Sequence, residues 1–194
     1  MKLKFILILI ATVLSIQTSY SQKESLIGIN FTGETTGESF ELGSGISFER
    51  IITKHSGFET GIYYHSYSSN ETSGSGNNRV NYTIRENYLS IPFLYKFYSS
   101  SVNVSSGPVL EYYLGYTQKN TKPGSVLYPY EKVGNKVNLG GTVRLGKSFS
   151  LPKRVVIEPD IRFSFFSNHI RGYLGFGIGA KYRLKKEKLP KSLL

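Results

Sequence analysis

The sequence contains no cysteine, no tryptophan and a single methionine among its 194 residues. Without cysteine the chain has no disulfide framework, no thiolate nucleophile and no cysteine-based metal site. The three histidines, His55, His65 and His169, are not spaced as metal ligands usually are. We therefore expect no metal site and no cofactor.

Long apolar runs are also scarce. One run of about twelve mainly apolar residues, 5–16, follows Lys2 and Lys4 near the N-terminus, and small residues follow at Ser19 and Ser21. This run is too short to cross a bilayer as a helix, but the pattern is typical of an export signal. We predict a signal peptide over residues 1–21; the alternative is an uncleaved N-terminal anchor. Because no later run has the length of a membrane helix, a mature chain that enters a membrane must do so as a closed β-barrel.

The chain is rich in glycine, tyrosine and phenylalanine, with 20, 15 and 12 residues, and tyrosine and phenylalanine favour strands. Its formal net charge of +11 suggests an anionic partner. Because the predicted export signal removes the chain from the cytoplasm, we expect no nucleic acid partner. The anionic partner that we expect is therefore a membrane surface.

Apolar and polar residues alternate with period two through most of the chain, which predicts strands with two unlike faces. In the last segment, Leu174, Phe176 and Ile178 share one face and glycines occupy the other. About eight segments have the length that a tilted strand needs to cross a bilayer. They cover about residues 27–32, 40–49, 58–65, 89–97, 102–116, 137–145, 155–166 and 172–184. We predict an all-β fold, an eight-stranded antiparallel up-and-down transmembrane β-barrel over residues 22–184, followed by a basic periplasmic tail over 185–194.

The connections alternate in length, as in outer-membrane barrels with long external loops and short periplasmic turns. Residues 66–80 and 117–135 are predicted to be external loops, and residues 99–101 and 151–153 to be periplasmic turns. Aromatic residues of the apolar face fall near the strand ends, which predicts two interfacial girdles. One girdle contains Phe48, Phe58, Phe97 and Tyr182, and the other contains Phe40, Tyr64, Tyr116 and Phe165.

A soluble periplasmic barrel or sandwich would show the same alternation with its apolar face turned inward. The glycine-rich polar face, the alternating loop lengths and the aromatic positions favour the membrane. Pro92, Pro108 and Pro159 cannot donate to a ladder, so each predicts a bulge or local irregularity.

The polar face carries six acids and five bases, and their charges nearly cancel. Eight strands enclose an interior that side chains can fill, so we predict a polar network in the lumen rather than an open pore; a conduit for protons or small ions is the alternative. The predicted network consists of Glu41, Glu49, Glu59, Lys96, Glu111, Arg144, Glu158, Asp160, Arg162, Lys181 and Arg183.

The best case for an enzyme combines His65 with Ser66 or Ser68 and a lumen glutamate, as in small barrels that deacylate lipid A. Period two places both serines on the face opposite His65, so the required contact between base and nucleophile is poorly served. We therefore predict no catalytic residue and no enzymatic activity, and interpret His65 as a rim histidine.

Several short motifs occur in a characteristic order. Residues 88–92 read Tyr-Leu-Ser-Ile-Pro, followed by Gly107-Pro108 and Asn138-Leu139-Gly140, then by the run 158–170 with Arg162-Phe163-Ser164 and Asn168. Together with the glycine-alternating last strand they resemble the PorT-like small outer-membrane β-barrel family common in Bacteroidetes. The resemblance covers most of the mature chain. It implies an integral outer-membrane barrel, and some relatives serve in secretion or gliding machinery.

Four partners are expected. Outer-membrane lipid would contact the apolar face, and lipopolysaccharide phosphates would meet basic loop residues. The spacing of Gly179, Tyr182 and Leu184 looks like a signal for the barrel-assembly machinery, although ten residues follow it. An envelope protein partner is the fourth. The basic residues near the outer loops are Arg79, Lys119, Lys122, Lys132 and Lys136.

Overall fold

The computed structural model describes residues 24–35, 39–73, 80–120, 136–167 and 171–184. The predicted signal peptide, residues 1–21, and the predicted tail, residues 185–194, lie outside the described residues. Among those that are described, no helix has the length and apolar character needed to cross a membrane.

Nine strands make up almost all of the described chain. They are β1 (Glu24–Thr35), β2 (Phe40–Ile51), β3 (Ser56–Ser73), β4 (Val80–Phe97), β5 (Asn103–Asn120), β6 (Val137–Gly146), β7 (Phe149–Ser150), β8 (Val155–Phe166) and β9 (Arg171–Arg183), with one turn of 3-10 helix at Pro152–Arg154. The strand β7 is only two residues long, so eight long strands remain, as predicted.

The eight long strands form a closed antiparallel ring. Consecutive strands pair from β1 to β6, β8 pairs with β9, and the additional β6–β8 pairing bridges the short strand β7. The ring closes through β1 and β9, which pair from Leu26↔Arg183 to Thr35↔Leu174. Each long strand thus lies beside its neighbours in chain order, which confirms the predicted eight-stranded up-and-down β-barrel fold.

The two ends of the ring differ. Short connections join β2 to β3, β4 to β5 and β6 to β8 at one end, which we call the turn end. At the opposite end β3, β4 and β5, each 18 residues long, continue beyond the flanking strands β2 and β6. The β2–β3 pairing stops at Ser44↔Tyr64, whereas the β3–β4 pairing continues to Ser73↔Val80. We call the part of these three strands beyond Tyr64, Leu89 and Tyr112 the β3–β5 extension.

The extension corrects the predicted loop boundaries. Residues 66–73 and 117–120 are paired strand rather than loop. Serine, threonine and asparagine dominate here, so the apolar alternation that marks the rest of the barrel is missing. Side chains of opposite strands bond instead: the Thr72 hydroxyl donates to Asn81 Oδ1 at 2.9 Å and the Thr83 hydroxyl donates to Asn70 Oδ1 at 2.9 Å.

The β4–β5 pairing shifts register between Asn87 and Tyr88, opposite Gly115. Gly115 has φ of +143°, a conformation that a residue with a Cβ rarely adopts. The shift pairs Tyr116 with Glu86, while the Tyr116 side chain is 42% exposed, like those of Tyr112 and Leu114 before it.

The pairing around the prolines differs from the prediction in part. The β8–β9 pairing runs without a shift or gap through Pro159↔Ile178, so an irregularity at Pro159 is wrong. The β4–β5 ladder lacks pairs between Pro92↔Val109 and Tyr95↔Ser106, and Pro108 lies in this interval, as predicted. The β3–β4 ladder lacks pairs between Thr60↔Phe93 and Tyr63↔Ser90, and Pro92 lies in this interval.

Candidate functional site: the charged interior of the ring

The faces of the ring are reversed relative to a soluble protein. Large apolar side chains cover the outside of the described strands; Leu42, Ile161 and Ile178 are 68%, 62% and 51% exposed. Charged side chains line the inside, where Lys96 and Lys181 are 1% and 3% exposed. Period two along each strand produces this separation, because alternate residues point to opposite faces.

Six charged side chains meet inside the ring near the turn end. We call them the central cluster: Glu49, Glu59, Lys96, Arg144, Glu158 and Lys181. Their sequence positions are far apart, and closure of the ring brings them together.

Lys181, from β9, is the hub of the central cluster. Its ammonium Nζ donates to Glu59 Oε2 and Glu158 Oε2, each at 2.7 Å, and also to Glu49. Lys96 Nζ approaches the same cluster from β4 and donates to Glu49 at 2.9 Å and to Glu158 at 2.6 Å. Two ammonium groups thus share three carboxylates.

Arg144 supplies the third cation. Its guanidinium donates to Glu59 Oε1 at 2.7 Å and lies 5.3 Å from the ring centroid of Tyr63. Three carboxylates and three cations then cancel in formal charge. Such balance is expected of buried charges, because an unpaired one would carry its desolvation penalty without compensation.

The three carboxylates of the central cluster are also the candidate metal ligands of the described chain. Oxygen atoms of Glu49, Glu59 and Glu158 lie within 4.8 Å of one another. The ammonium groups of Lys96 and Lys181 stand between these oxygens and supply the positive charge that a metal ion would bring. The donor set is already neutralised, so it does not fit a resident cation.

Two groups complete the cluster toward the turn end. Tyr98, just after β4, donates its hydroxyl to Glu49 Oε1 at 2.7 Å, and Asn103 Nδ2 donates to Glu158 Oε1 at 3.3 Å. Burial and the neighbouring Glu49 carboxylate raise the pKa of Tyr98, because both disfavour the phenolate. Tyr98 therefore serves as a hydrogen-bond donor.

A second polar group lies on the other side of the central cluster and is built around His65. The Tyr67 hydroxyl lies 2.6 Å from His65 Nδ1, and the Ser90 hydroxyl lies 2.5 Å from Nε2. Carboxylates flank both ring nitrogens: Glu34 Oε2 is 3.4 Å from Nδ1 and Glu111 Oε1 is 3.1 Å from Nε2. We call these five residues the histidine cluster.

Aromatic side chains fill the ring above the histidine cluster. The rings of Tyr67 and Tyr173 stack with centroids 4.1 Å apart, and Tyr88 lies 5.5 Å from both Tyr67 and Tyr113. Phe166 packs edge-on against Tyr173. This aromatic plug occupies the lumen at the end from which the β3–β5 extension projects.

Two small voids lie among the described side chains of the interior. One of about 30 Å³ lies between the histidine cluster and the central cluster, lined in part by Ser90, Arg144 and Arg162. Another of about 10 Å³ lies beside Lys181. Spaces of this size hold one or two water molecules. These two voids can hold water among fixed charges, and neither has room for an organic ligand.

The structure distributes the eleven predicted network residues over several places. Six form the central cluster, and Glu111 joins the histidine cluster. Asp160 accepts two hydrogen bonds from the Arg162 guanidinium, at 2.9 and 2.8 Å, and this pair lies beside Glu34. Glu41 and Arg183 lie apart from these groups.

Glu41 and Arg183 occupy opposite ends of the ring. Glu41 lies 3.2 Å from the half-exposed Arg85 and accepts hydrogen bonds from Ser66 and Ser68 at the base of the β3–β5 extension. Arg183 has a side chain that is 35% exposed; it lies at the turn end, 3.8 Å from Glu24. Neither contacts the central cluster, because each lies near the terminus of its strand.

Several interior residues were not among the predicted ones. Glu34 lies beyond the first predicted segment, but it continues the parity of Gly28, Asn30 and Thr32, and that parity would have placed it inside. His65 is 9% exposed and hydrogen-bonded, so its interpretation as a rim histidine is wrong. The physical reason is that β3 continues for eight residues past His65, so the imidazole of His65 lies inside the lumen and not at its rim.

The fold and this interior define a closed up-and-down β-barrel with an apolar exterior and a charged, filled lumen. Solved structures of small outer-membrane barrels are similar to it. A major outer membrane protein from Thermus thermophilus is 12% identical, with a TM-score of 0.52, over 84% of this chain and 100% of that chain.

Two further solved structures are similar at lower scores. Ail from Yersinia pestis, in a phospholipid bilayer nanodisc, is 15% identical over 83% of this chain and 99% of that chain, with a TM-score of 0.47. Neisserial surface protein A is 13% identical over 84% of this chain and 98% of that chain, with a TM-score of 0.44. No protein-family model and no curated protein sequence matches the chain. At these identities the likeness to the Thermus protein concerns the fold alone.

Proposed function

We propose that this chain is an integral protein of the outer membrane of a Gram-negative bacterium, a β-barrel without enzymatic activity. Its task would be structural, adhesive or accessory to secretion or to the envelope. The observation that carries the proposal is the reversed polarity of the ring. Apolar side chains on the outside and neutralised charges on the inside suit a lipid environment, and a closed ring leaves no strand edge unpaired within it.

The outer surface of β3 and β4 supports this location. Tyr64 and Leu89 lie at the limit of the apolar surface, and beyond them the same face of β4 carries Asn87 and the exposed Arg85. The change from apolar to polar within one pair of strands is what a strand crossing from lipid into water requires. It supports a position of the β3–β5 extension outside the hydrocarbon layer.

Cell fractionation tests this location. The protein should be found in the outer-membrane fraction, dissolve only with detergent, and migrate faster on a gel when unheated, because a folded barrel is compact. Recovery from the periplasm as a detergent-free soluble protein would overturn the proposal and favour a soluble periplasmic ligand-binding barrel.

The alternative of a lipid-modifying barrel can be compared with the geometry, because Ser90, His65 and Glu34 stand in the order of nucleophile, base and acid. Glu111 Oε1 lies 3.1 Å from Nε2, the nitrogen that would have to accept the serine proton. A carboxylate there favours a proton already on Nε2, which would block that step. Ser90 also lies deep in the filled lumen, 5% exposed, where an acyl chain has no space.

Lipid A mass spectrometry tests the absence of this activity. Cells that express the wild-type protein, the His65→Ala variant or no protein should give the same lipid A masses. Loss of one acyl chain with the wild-type protein and not with His65→Ala would make the lipid A deacylase the better proposal.

The resemblance to the PorT-like family, with its secretion and gliding relatives, remains a prediction, as do the barrel-assembly machinery and an envelope protein as partners. Cross-linking in intact cells through the β3–β5 extension tests for the envelope partner. A cross-linked species that depends on a reactive group at Thr72 or Thr83 would support it.

A further inference from the structure

The turn end of the ring is strongly basic. Of the charged residues described at this end, those in the central cluster cancel among themselves, whereas the exposed and half-exposed ones are mostly cations. These are Arg50, Lys54, Lys147, Lys153, Arg154 and Arg183, with Glu24 as the one acid among the described residues of this rim. They belong to the ends of β2 and β9 and to the turns before β3, β7 and β8, so positive charge is spread around the ring.

Two of these cations stand in a strained turn. Lys153 has φ of 61° and ψ of 30°, and Arg154 has φ of 67°. Left-handed conformations favour glycine or asparagine, and they cost free energy for lysine and arginine. The turn is closed by Leu151 N–H donating to the Val155 carbonyl at 2.8 Å. Two exposed basic side chains therefore occupy the positions where the backbone least favours them.

Apolar side chains lie directly beside these cations. Phe149 and Leu151 are each 48% exposed, and Lys147 Nζ lies 5.9 Å from the ring centroid of Phe149. Ammonium and guanidinium groups next to an exposed aromatic and aliphatic pair are typical of the boundary between hydrocarbon and headgroups. At that boundary the anions at hand are lipid phosphates.

We propose that the basic rim of the turn end binds anionic glycerophospholipid headgroups, with the Lys153–Arg154 turn as its main contact. This inference rests on the proposed membrane location. A phosphodiester next to the rim would accept charge-assisted hydrogen bonds from Lys147, Lys153 and Arg154 while its acyl chains cover Phe149 and Leu151. The free energy of that contact offsets the strain of the turn.

The test compares lipid selectivity of the full chain with that of a variant whose turn is relaxed. Lys153→Asn combined with Arg154→Gly removes both charges and supplies residues that suit a left-handed turn. Lys136→Ser is the control, because it removes a cation at the opposite end of the ring. Electron spin resonance of spin-labelled phosphatidylglycerol and phosphatidylcholine, in phosphatidylcholine vesicles, measures the relative association constant.

The wild-type protein should prefer phosphatidylglycerol, and the double variant should lose that preference by about fivefold for each cation removed. Lys136→Ser should keep it. Equal selectivity in the wild-type protein and the double variant would overturn the inference, and so would an equal loss in Lys136→Ser, because the effect would then be one of net charge alone.

Two further measurements keep the result unambiguous. In pure phosphatidylcholine vesicles the double variant should unfold at the same or higher temperature than the wild-type protein, which excludes misfolding as the cause of lost selectivity. Phosphatidylglycerol mixed into these vesicles should raise the unfolding temperature of the wild-type protein, whereas inorganic phosphate should not; if phosphate raises it equally, the ligand is a free anion and the inference fails. A chain that does not enter vesicles contradicts the proposed function instead.

Discussion

At the scale of single residues, Lys181 has the most connected position in the interior. Its ammonium group serves three carboxylates from three other strands. Removing it leaves Glu49, Glu59 and Glu158 with a deficit of positive charge in a space that excludes bulk water. The free energy of unfolding should therefore depend on this side chain more than on other lysines.

We expect Lys181→Ala to lower the free energy of unfolding by about 3–5 kcal/mol, because a buried pair loses one partner. Urea titration of the folded band in detergent micelles or vesicles measures this change. Arg183→Ala, two residues further on the same strand face, is the matched control; its side chain is 35% exposed, and we expect about 0–1 kcal/mol. Equal effects of the two variants would contradict a special role of the central cluster.

The alternation along a strand predicts which face a single residue occupies, but not which residue it contacts. Each residue of the central cluster was expected to face the lumen, because it alternates with apolar residues on its strand. The partner of each charge was not predictable, since Glu49 and Lys181 are separated by 132 positions. Their contact depends on the stagger between strands, which the alternation does not specify.

At the scale of one element, β9 presents opposite environments on its two faces. Ile178 is exposed on the outside, near the middle of the strand. Gly177 lies inside, where a Cβ would overlap the Arg162 guanidinium and lie 2.7 Å from Asp160 Oδ2. Neighbouring residues of the same strand should thus respond to substitution for different reasons.

If the outer face contacts lipid, Ile178→Lys should destabilise the barrel by about 2–4 kcal/mol in vesicles, because a charge is placed near the middle of the hydrocarbon layer. Unfolding by urea with gel mobility as the readout measures the change. Phe48→Lys, also on the outer face but close to the turn end, is the control. It should lower the free energy of unfolding by about 0–1 kcal/mol. Normal assembly of Ile178→Lys in a protein that is soluble without detergent would show that the outer face meets water.

The β3–β5 extension illustrates why element boundaries were harder to predict than elements. Within the apolar belt the strands show a clear alternation, because their outer face is apolar and their inner face carries charged side chains. Toward the ends of these strands serine, threonine and asparagine dominate, so the alternation fades although the backbone ladder continues. The register shift opposite Gly115 changes which residues of β4 and β5 are paired, and period two cannot anticipate it.

At the scale of the whole molecule, the orientation of the ring can be measured directly because the chain contains no cysteine. We expect Thr72→Cys, in the β3–β5 extension, to react with a membrane-impermeant maleimide on intact cells. Ser100→Cys, in the connection between β4 and β5 at the turn end, should react only after the outer membrane is opened. The reverse pattern would place the turn end outside and invert the proposed topology.

The filled lumen leads to a second prediction for the whole molecule. The central cluster, the histidine cluster and the aromatic plug follow one another along the interior, and the described voids are about 30 and 10 Å³. We expect no stable conductance of the purified protein in planar bilayers, because eight strands enclose an interior that side chains can fill. Porin-like single-channel steps from the unmutated protein would make transport the leading function. Absence of such steps from a mock preparation of cells that lack the protein would exclude a contaminating pore as their source.

The amino-acid sequence by itself determined the class of fold. Period-two alternation, segment lengths suited to a tilted strand and the even number of segments define an up-and-down β-barrel, because each is a local property of the chain. Which residues face inward follows from the same alternation, and it held for most of the charged residues that were singled out.

The tertiary structure alone decided which inward residues meet. Ring closure and strand stagger bring six charges from six strands into the neutral central cluster, and they separate Glu41 and Arg183 from it. They also place Ser90 rather than Ser66 or Ser68 beside His65, and they gather the cations of the turn end into one rim. These contacts join residues far apart in sequence, so their geometry depends on how all eight strands are arranged around a common axis.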